Sequence, residues 1–164
     1  MSPEPEPRMG EVEIMPTYCT AEDRRREGEI GQSLAKSWGL RWVPARDINS
    51  TFDGMLTDHG ENAEIRALLE IKQRDIKFAL KSLLLSVRKR DALVRIAGIY
   101  QCPVIFAVYL KNEQALVWVN LARTIDLPIR MGGRTMTTRA DAAHDIEPVI
   151  DIPFSWFQNG AVRP

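Results

Sequence analysis

The sequence predicts an α/β fold in which a mixed central sheet is flanked by helices. An early helical segment carries its apolar residues on a single stripe. Later in the chain, "CPVIFAVYL" is a continuous apolar run rich in Val, Ile, Phe and Tyr, which is typical of a central strand covered on both faces. The predicted order is helix, strand, strand, strand, helix, strand, strand, so a long helical crossover follows the third strand.

The composition favours one domain with tails. The chain has 164 residues and is 45% hydrophobic, which is enough for one core and too little for two comfortable domains. Residues 1–19 are rich in proline and acidic residues and are predicted to be a flexible tail. Residues 20–130 are predicted to form the core domain, and residues 131–164 an extension packed on it.

The first helix is predicted to begin near Thr20 and to end at Gly39, which is a good residue for a left-handed stop. Its residues Ile30, Leu34 and Trp38 follow the spacing of one buried stripe. This helix should therefore pack on the sheet along that stripe.

Three strands are predicted next, in "LRWVPARDI", "STFDGML" and "AEIRALLEIKQ". The turn residues in "TDHGENA" join the last two of them into a hairpin. From about Asp75 to Tyr100 the apolar residues recur at helical intervals, which predicts either one bent helix or two helices. The strands "CPVIFAVYL" and "ALVWVNL" complete the order.

Charge is distributed unevenly although the formal net charge is zero. Between Arg66 and Arg95 there are nine basic residues and three acidic residues. Such a region can supply a phosphate-binding surface, or it can simply form solvated helix faces.

Neither the cysteines nor the hydropathy indicate a secreted or membrane protein. Cys19 and Cys102 form no disulfide framework and no paired metal spacing, which suits a reducing compartment. No apolar run approaches 18 residues, and no leader pattern is present. We therefore expect a soluble, cytoplasmic protein without a membrane partner.

The hairpin brings two carboxylates together. If the chain turns near Gly60 and Glu61, Asp53 lies opposite Leu68 or Glu70 on the same face of the sheet. Cross-strand neighbours of this kind stand about 5 to 8 Å apart, so the carboxylates of Asp53 and Glu70 could reach one ion. The alternative is an ordinary half-buried strand whose polar side chains face solvent.

An oxygen-lined site is the chemistry that this arrangement favours. Two carboxylates, a backbone carbonyl assigned to Ile71, and water suit Mg²⁺ or Mn²⁺ better than zinc. Lys72 shares a face with Glu70 and would stand beside the attacking water, where its ammonium could orient the nucleophile and stabilise developing charge. These are the requirements of phosphodiester hydrolysis.

Asp53 in "FDGML" and Glu70-Ile71-Lys72 in "LLEIKQ" resemble the motif of the PD-(D/E)xK, or restriction-endonuclease-like, nuclease superfamily. The resemblance covers about residues 20–121, and Phe52 stands where the family motif has proline. It implies an αβββαβ core and a Mg²⁺-dependent endodeoxyribonuclease. The segment "ALVRIAGIYQCPVIFAVYLKNEQALVWV" is similar to archaeal-type Holliday junction resolvases, which implies branched DNA as substrate and a place in recombination or repair.

The resemblance also implies an acidic residue on the first helix. Glu27 is favoured because it continues the buried stripe one turn backward, whereas Glu29 would project roughly 160° away from it. Glu27 would then join Asp53, Glu70 and Lys72 as the catalytic set. The alternative is that Glu27 is a solvated acid in the first turns of the helix.

DNA is the partner that this interpretation requires. Phosphate contacts would be made without base readout by a basic helix. Its candidate residues are Lys77, Lys81, Arg88, Lys89 and Arg90. Symmetric cutting of two strands favours a two-fold homodimer. Two alternatives keep the same fold: a non-catalytic nucleic-acid or protein adaptor, and an RNA nuclease.

Overall fold

The structure is a computed structural model that describes residues 21–47, 50–75, 81–133, 146–161 and 164. Its helices and strands, in chain order, are α1 (Ala21–Trp38), β1 (Arg41–Pro44), β2 (Gly54–Thr57), β3 (Ile65–Arg74), β4 (Ser82–Ser86), α2 (Val87–Tyr100), β5 (Val104–Leu110), β6 (Ala115–Asn120), β7 (Ile129–Gly133), β8 (Ile146–Pro153) and β9 (Gln158–Asn159). No helix within these ranges is long and apolar enough to cross a membrane.

The central sheet is mixed, which confirms the predicted fold class. Its six strands lie in the order β1-β2-β3-β5-β6-β9. Strands β3 and β5 are parallel, and the other neighbours are antiparallel. The apolar residues of α1 pack with Leu69 and Ile71 on one face, while Leu93 and Ala97 of α2 join the cluster that contains Leu68 on the other. Strand β3 is thus covered on both faces.

Helix α1 ends where the sequence predicts. Gly39 has a φ of 68°, the left-handed conformation that glycine adopts most readily. Ile30, Leu34 and Trp38 are buried, and the Trp38 indole N–H donates to the Gly160 carbonyl at 2.9 Å. The predicted start at Thr20 and the predicted tail lie outside the described residues.

The hairpin of β2 and β3 has the predicted register at its open end. Gly54 pairs with Leu69 and Met55 with Leu68, and a shift occurs between Leu56 and Thr57. The next position along this register brings Asp53 opposite Glu70. Asp53, which directly precedes β2, therefore lies at the level of Glu70 in β3.

The helix predicted from Asp75 to Tyr100 is wrong in its first part. Residues 82–86 form strand β4, which pairs with β8, and residues 76–80 lie outside the described ranges. Leu83 and Leu85 are buried, whereas Leu84 is 38% exposed. The leucine run therefore follows the two-residue period of a strand, which its helical spacing concealed.

A second sheet, in the order β4-β8-β7, explains why β4 is a strand. Strand β8 supplies backbone partners that lie far along the sequence, and local periodicity carries no sign of them. Val149, Ile150 and Ile152 of β8 are fully or almost fully buried. The single helix α2 then begins at Val87, with Ser86 as its N-cap, and ends before Gln101, whose φ is 52°.

The Trp42 side chain packs between two glycines and fixes how closely α1 approaches the sheet. A Cβ atom on Gly31 of α1 would lie 2.5 Å from Trp42 Cδ2, and a Cβ atom on Gly54 would lie 2.2 Å from Trp42 Cη2. Real atoms do not approach this closely, so both positions require glycine. Because Gly54 follows Asp53 directly, this packing also positions the candidate site.

We expect Gly31→Ala to lower the free energy of unfolding by about 1–3 kcal/mol, because the added methyl group overpacks the Trp42 contact. Gly28→Ala, also in α1, is the matched control: its Cβ meets nothing within 4 Å, so the better helix propensity of alanine should raise stability by up to about 1 kcal/mol. Urea unfolding followed by circular dichroism measures both. Equal effects of the two substitutions would contradict the packing argument.

Candidate active site

Asp53 lies immediately before β2 and is held by three hydrogen bonds. Its N–H donates to the Leu69 carbonyl and its carbonyl accepts from the Ala45 N–H, both at 2.9 Å. Its side-chain Oδ2 accepts from the Ile71 N–H at 2.6 Å. The carboxylate is therefore fixed against β3, one residue from Glu70.

Glu70 is completely buried in the middle of β3, although it carries a carboxylate. Lys72 Nζ lies 2.6 Å from its Oε1, and Lys89 Nζ lies 3.0 Å from its Oε2. These are ion-pair distances, yet neither oxygen accepts a hydrogen bond of acceptable angular geometry from the described residues. Buried carboxylates are costly unless they are paired and hydrogen-bonded, so this group is one that a cation would stabilise.

Lys72 faces several carboxylates at once. Burial alone would lower the pKa of its ammonium, but the negative charges of Glu70, Asp53 and Glu27 outweigh burial and raise the pKa above its ordinary value. Lys72 is therefore positively charged at neutral pH. A charged lysine beside two carboxylates can stabilise negative charge that develops there.

Glu27 lines a cleft of about 120 Å³ together with Asp53. Burial, followed by the charge of Asp53, raises the pKa of Glu27 from 4.5 to about 7. Burial, followed by the charge of Glu70, likewise raises the pKa of Asp53. In both groups burial is the larger cause of the shift and the neighbouring carboxylate is the second.

Glu29 lies on a different side of α1. Its Oε1 pairs with Arg25 Nη1 at 2.6 Å, and 59% of its side chain is exposed. The structure thus brings Glu27, Asp53, Glu70 and Lys72 into one neighbourhood and leaves Glu29 outside it.

Comparison with known proteins identifies the family. The sequence profile described as "Phage putative PDDEXK endonuclease" matches residues 13–160, which is most of the chain. The chain belongs to this endonuclease family. No curated protein sequence matches it significantly.

Two solved structures resemble this endonuclease at low sequence identity and show the same fold. Hjc from Archaeoglobus fulgidus, a Holliday junction resolvase, has a TM-score of 0.51 and 17% identity, over 82% of this chain and 86% of Hjc. D212, a nuclease from a fusselovirus, has a TM-score of 0.52 and 16% identity, over 89% of each chain. The predicted PD-(D/E)xK nuclease fold is therefore confirmed.

Asp53 and Glu70 are the two carboxylates at this site that could hold a cation. Within the described ranges, no three Asp, Glu, His or Cys side chains form a group that could enclose a metal. Asp53 and Glu70 are left as a pair of carboxylates, which is the ligand number typical of Mg²⁺ sites that keep several waters. The unused hydrogen-bonding capacity of Glu70 fits such an ion.

The predicted phosphate-binding residues do not lie on one helix. Lys81 precedes β4, and Arg88 is exposed on the first turn of α2, while Lys77 lies outside the described residues. Arg90 is a correction: only 4% of it is exposed, and its guanidinium donates to the Thr124 carbonyl at 3.1 Å. Buried in this way, Arg90 stabilises the fold and cannot face a phosphate.

Sequence reasoning missed the true position of Lys89. It was assigned to the phosphate-binding face, but its ammonium contacts Glu70 and donates to the Thr51 carbonyl at 2.6 Å. A signal for this contact would have required the start of α2 to be placed correctly at Val87. The error in the predicted helix therefore concealed a residue of the site.

The raised pKa of Glu27 should make the stability of the protein depend on pH. Between pH 4.5 and about 7 the folded protein holds a proton on Glu27 that the unfolded chain has released, so the stability of metal-free protein falls as pH rises through this window. Glu27→Gln removes this loss. We expect the variant to have a higher Tm than wild type at pH 8 and almost the same Tm at pH 4.5, both measured in chelator.

Glu29→Gln is the control, because Glu29 is exposed and paired with Arg25. It should not reproduce the rise in Tm at pH 8. If the difference in Tm between Glu27→Gln and wild type did not increase with pH, Glu27 would not share the charge of the site.

Proposed function

We propose that this chain is a Mg²⁺- or Mn²⁺-dependent DNA endonuclease that hydrolyses phosphodiester bonds and prefers branched DNA. One observation carries the proposal: Glu70 is buried beside Asp53 between two lysines, and its oxygens have unused hydrogen-bonding capacity. Membership of an endonuclease family supports the same chemistry.

The proposed roles follow from position. Asp53 and Glu70, with the carbonyl of Ile71, would hold a divalent cation, which supplies Lewis-acid activation and charge neutralisation when bound. The Ile71 N–H fixes Asp53 Oδ2, so the two carboxylates keep their separation without the ion. Lys72 lies beside both and orients the attacking water while stabilising charge on the phosphate.

Glu27 is proposed to assist the reaction beside Asp53. It lines the cleft with Asp53, where its carboxylate can accept the proton that the attacking water loses.

Exposed basic residues near the start of α2 are proposed to bind the DNA backbone. Lys81 and Arg88 are both exposed, and phosphate contacts of this kind give affinity without sequence readout. Hjc, the resolvase with the same fold, acts on Holliday junctions by its name. This likeness supports branched DNA as the substrate, and symmetric cutting of its two strands would favour a two-fold homodimer.

The test is a cleavage assay on a panel of labelled nucleic acids. A four-way junction, its linear arms, single-stranded DNA, an RNA of the same sequence and supercoiled plasmid are each incubated with the protein in Mg²⁺, Mn²⁺ or chelator. We expect cation-dependent cutting of DNA, with the junction cut fastest.

Other results of this assay would contradict parts of the proposed function. Equal rates on the junction and its arms would remove the preference for branched DNA, and cutting of RNA alone would show an RNA nuclease. Binding without cutting in either cation would favour the non-catalytic adaptor.

A further inference from the structure

Lys89 is a second lysine on Glu70, and it comes from a different element than Lys72. Its Nζ lies 3.0 Å from Glu70 Oε2 and donates to the Thr51 carbonyl at 2.6 Å. Lys72 Nζ lies 2.6 Å from the other oxygen, Oε1. The buried carboxylate is therefore held between the ammonium groups of β3 and α2.

The first turn of α2 is fixed so that Lys89 can reach this position. The Lys89 backbone N–H donates to Ser86 Oγ at 3.4 Å, which caps the helix. The Ser86 hydroxyl in turn donates to Glu147 Oε2 of strand β8 at 2.8 Å. Strand β8 thereby anchors the helix start, and the Thr51 carbonyl anchors the ammonium two residues from Asp53.

The charges explain why a lysine is needed at this position. A completely buried carboxylate must be neutralised, and the neighbouring groups Asp53 and Glu27 add further negative charge. The two lysines place one ammonium group within 3.0 Å of each Glu70 oxygen. A divalent cation on Asp53 and Glu70 would supply the same neutralisation.

We propose that Lys89 is the internal counter-ion of Glu70. Its ammonium neutralises this carboxylate while no divalent cation is bound and moves away from Oε2 when a cation binds. Lys89 thereby sets the affinity of the site for the cation. This inference rests on the proposed metal site. Lys89 acts through Glu70, so it is a positioning residue, whereas Lys72 is proposed to act on the attacking water.

Two substitutions should move the affinity in opposite directions. Lys89→Met removes the competing charge, so Mn²⁺ should bind about tenfold more tightly, while the metal-free protein becomes less stable. Lys89→Arg offers a planar fork that can hold a carboxylate through two hydrogen bonds, so Mn²⁺ should bind more weakly than to wild type. A residue that only held the Thr51 loop in place would not produce a gain in affinity.

The experiment is a calorimetric titration of Mn²⁺ into the full chain, together with thermal unfolding in chelator. Arg95→Met is the matched control, because Arg95 is exposed on the same helix and its loss changes the net charge equally. We expect this control to bind Mn²⁺ as wild type does.

The outcomes separate this inference from the proposed function. If wild type binds Mn²⁺ but Lys89→Met binds it equally or less tightly, the counter-ion role is wrong and the metal site stands. If wild type binds no Mn²⁺, the proposed function itself fails. Should Lys89→Met not fold, Lys89→Arg decides, because affinity equal to or tighter than that of wild type would overturn the inference.

Discussion

Asp53→Asn is expected to abolish cleavage while leaving the fold intact. Asparagine has nearly the same shape, and its side-chain oxygen can still accept the hydrogen bond that Asp53 Oδ2 receives from the Ile71 N–H. The negative charge needed to hold a divalent cation is lost. We expect the cleavage rate to fall by about three orders of magnitude or more, as is typical when one member of a catalytic unit is removed.

Single-turnover cleavage of labelled DNA measures this loss, and circular dichroism with thermal unfolding checks the fold. Affinity for Mn²⁺ should weaken in parallel, because Asp53 is a proposed ligand. A folded variant that cut DNA at the rate of wild type would show that Asp53 takes no part in the reaction.

Glu70→Gln is expected to lose stability as well as cleavage, which distinguishes it from Asp53→Asn. Glu70 is fully buried, and Lys72 and Lys89 approach its two oxygens. Removing its charge takes from Lys89 the carboxylate that it contacts, while Lys72 still faces Asp53 and Glu27. Because both lysine side chains are 34% exposed, the free energy of unfolding should fall by about 1–3 kcal/mol, less than for a fully buried pair.

The double variant Glu70→Gln with Lys89→Met tests the cause of the lost stability. Removing the unpaired ammonium should restore part of the free energy of unfolding, whereas cleavage should stay absent. Urea unfolding of the single and double variants gives the coupling between the two sites. If the two losses of stability simply added, Lys89 and Glu70 would be independent of each other in the folded protein.

The sequence predicted the parts of the site that depend on local patterns. The turn residues between β2 and β3 and the two-residue period of β3 were enough to bring Asp53 to the level of Glu70. The apolar stripe of α1 was enough to distinguish Glu27 from Glu29, because helix geometry alone fixes the angle between them. The roles of these residues in catalysis remain predictions.

The parts that depend on distant contacts were not predictable in the same way. Strand β4 takes its conformation from β8, whose paired residues lie 63 to 71 positions further along the chain. Lys89 contacts Glu70 because of where α2 begins. Arg90 is buried where its guanidinium can donate to the Thr124 carbonyl. In each case the deciding partner is remote in sequence, and the local pattern of charged and apolar residues is compatible with either conformation.

The central claim is that Asp53 and Glu70 hold the divalent cation that this endonuclease needs to cut DNA. Its most direct test is to strip the purified full chain with chelator, dialyse the chelator away, and follow cutting of a labelled four-way junction as Mg²⁺ is added back to wild type and to Asp53→Asn. We expect no cutting by either protein before Mg²⁺ is added, and full recovery by wild type alone afterwards. Cutting by stripped wild type before Mg²⁺ is added, or equal recovery by Asp53→Asn, would contradict the claim.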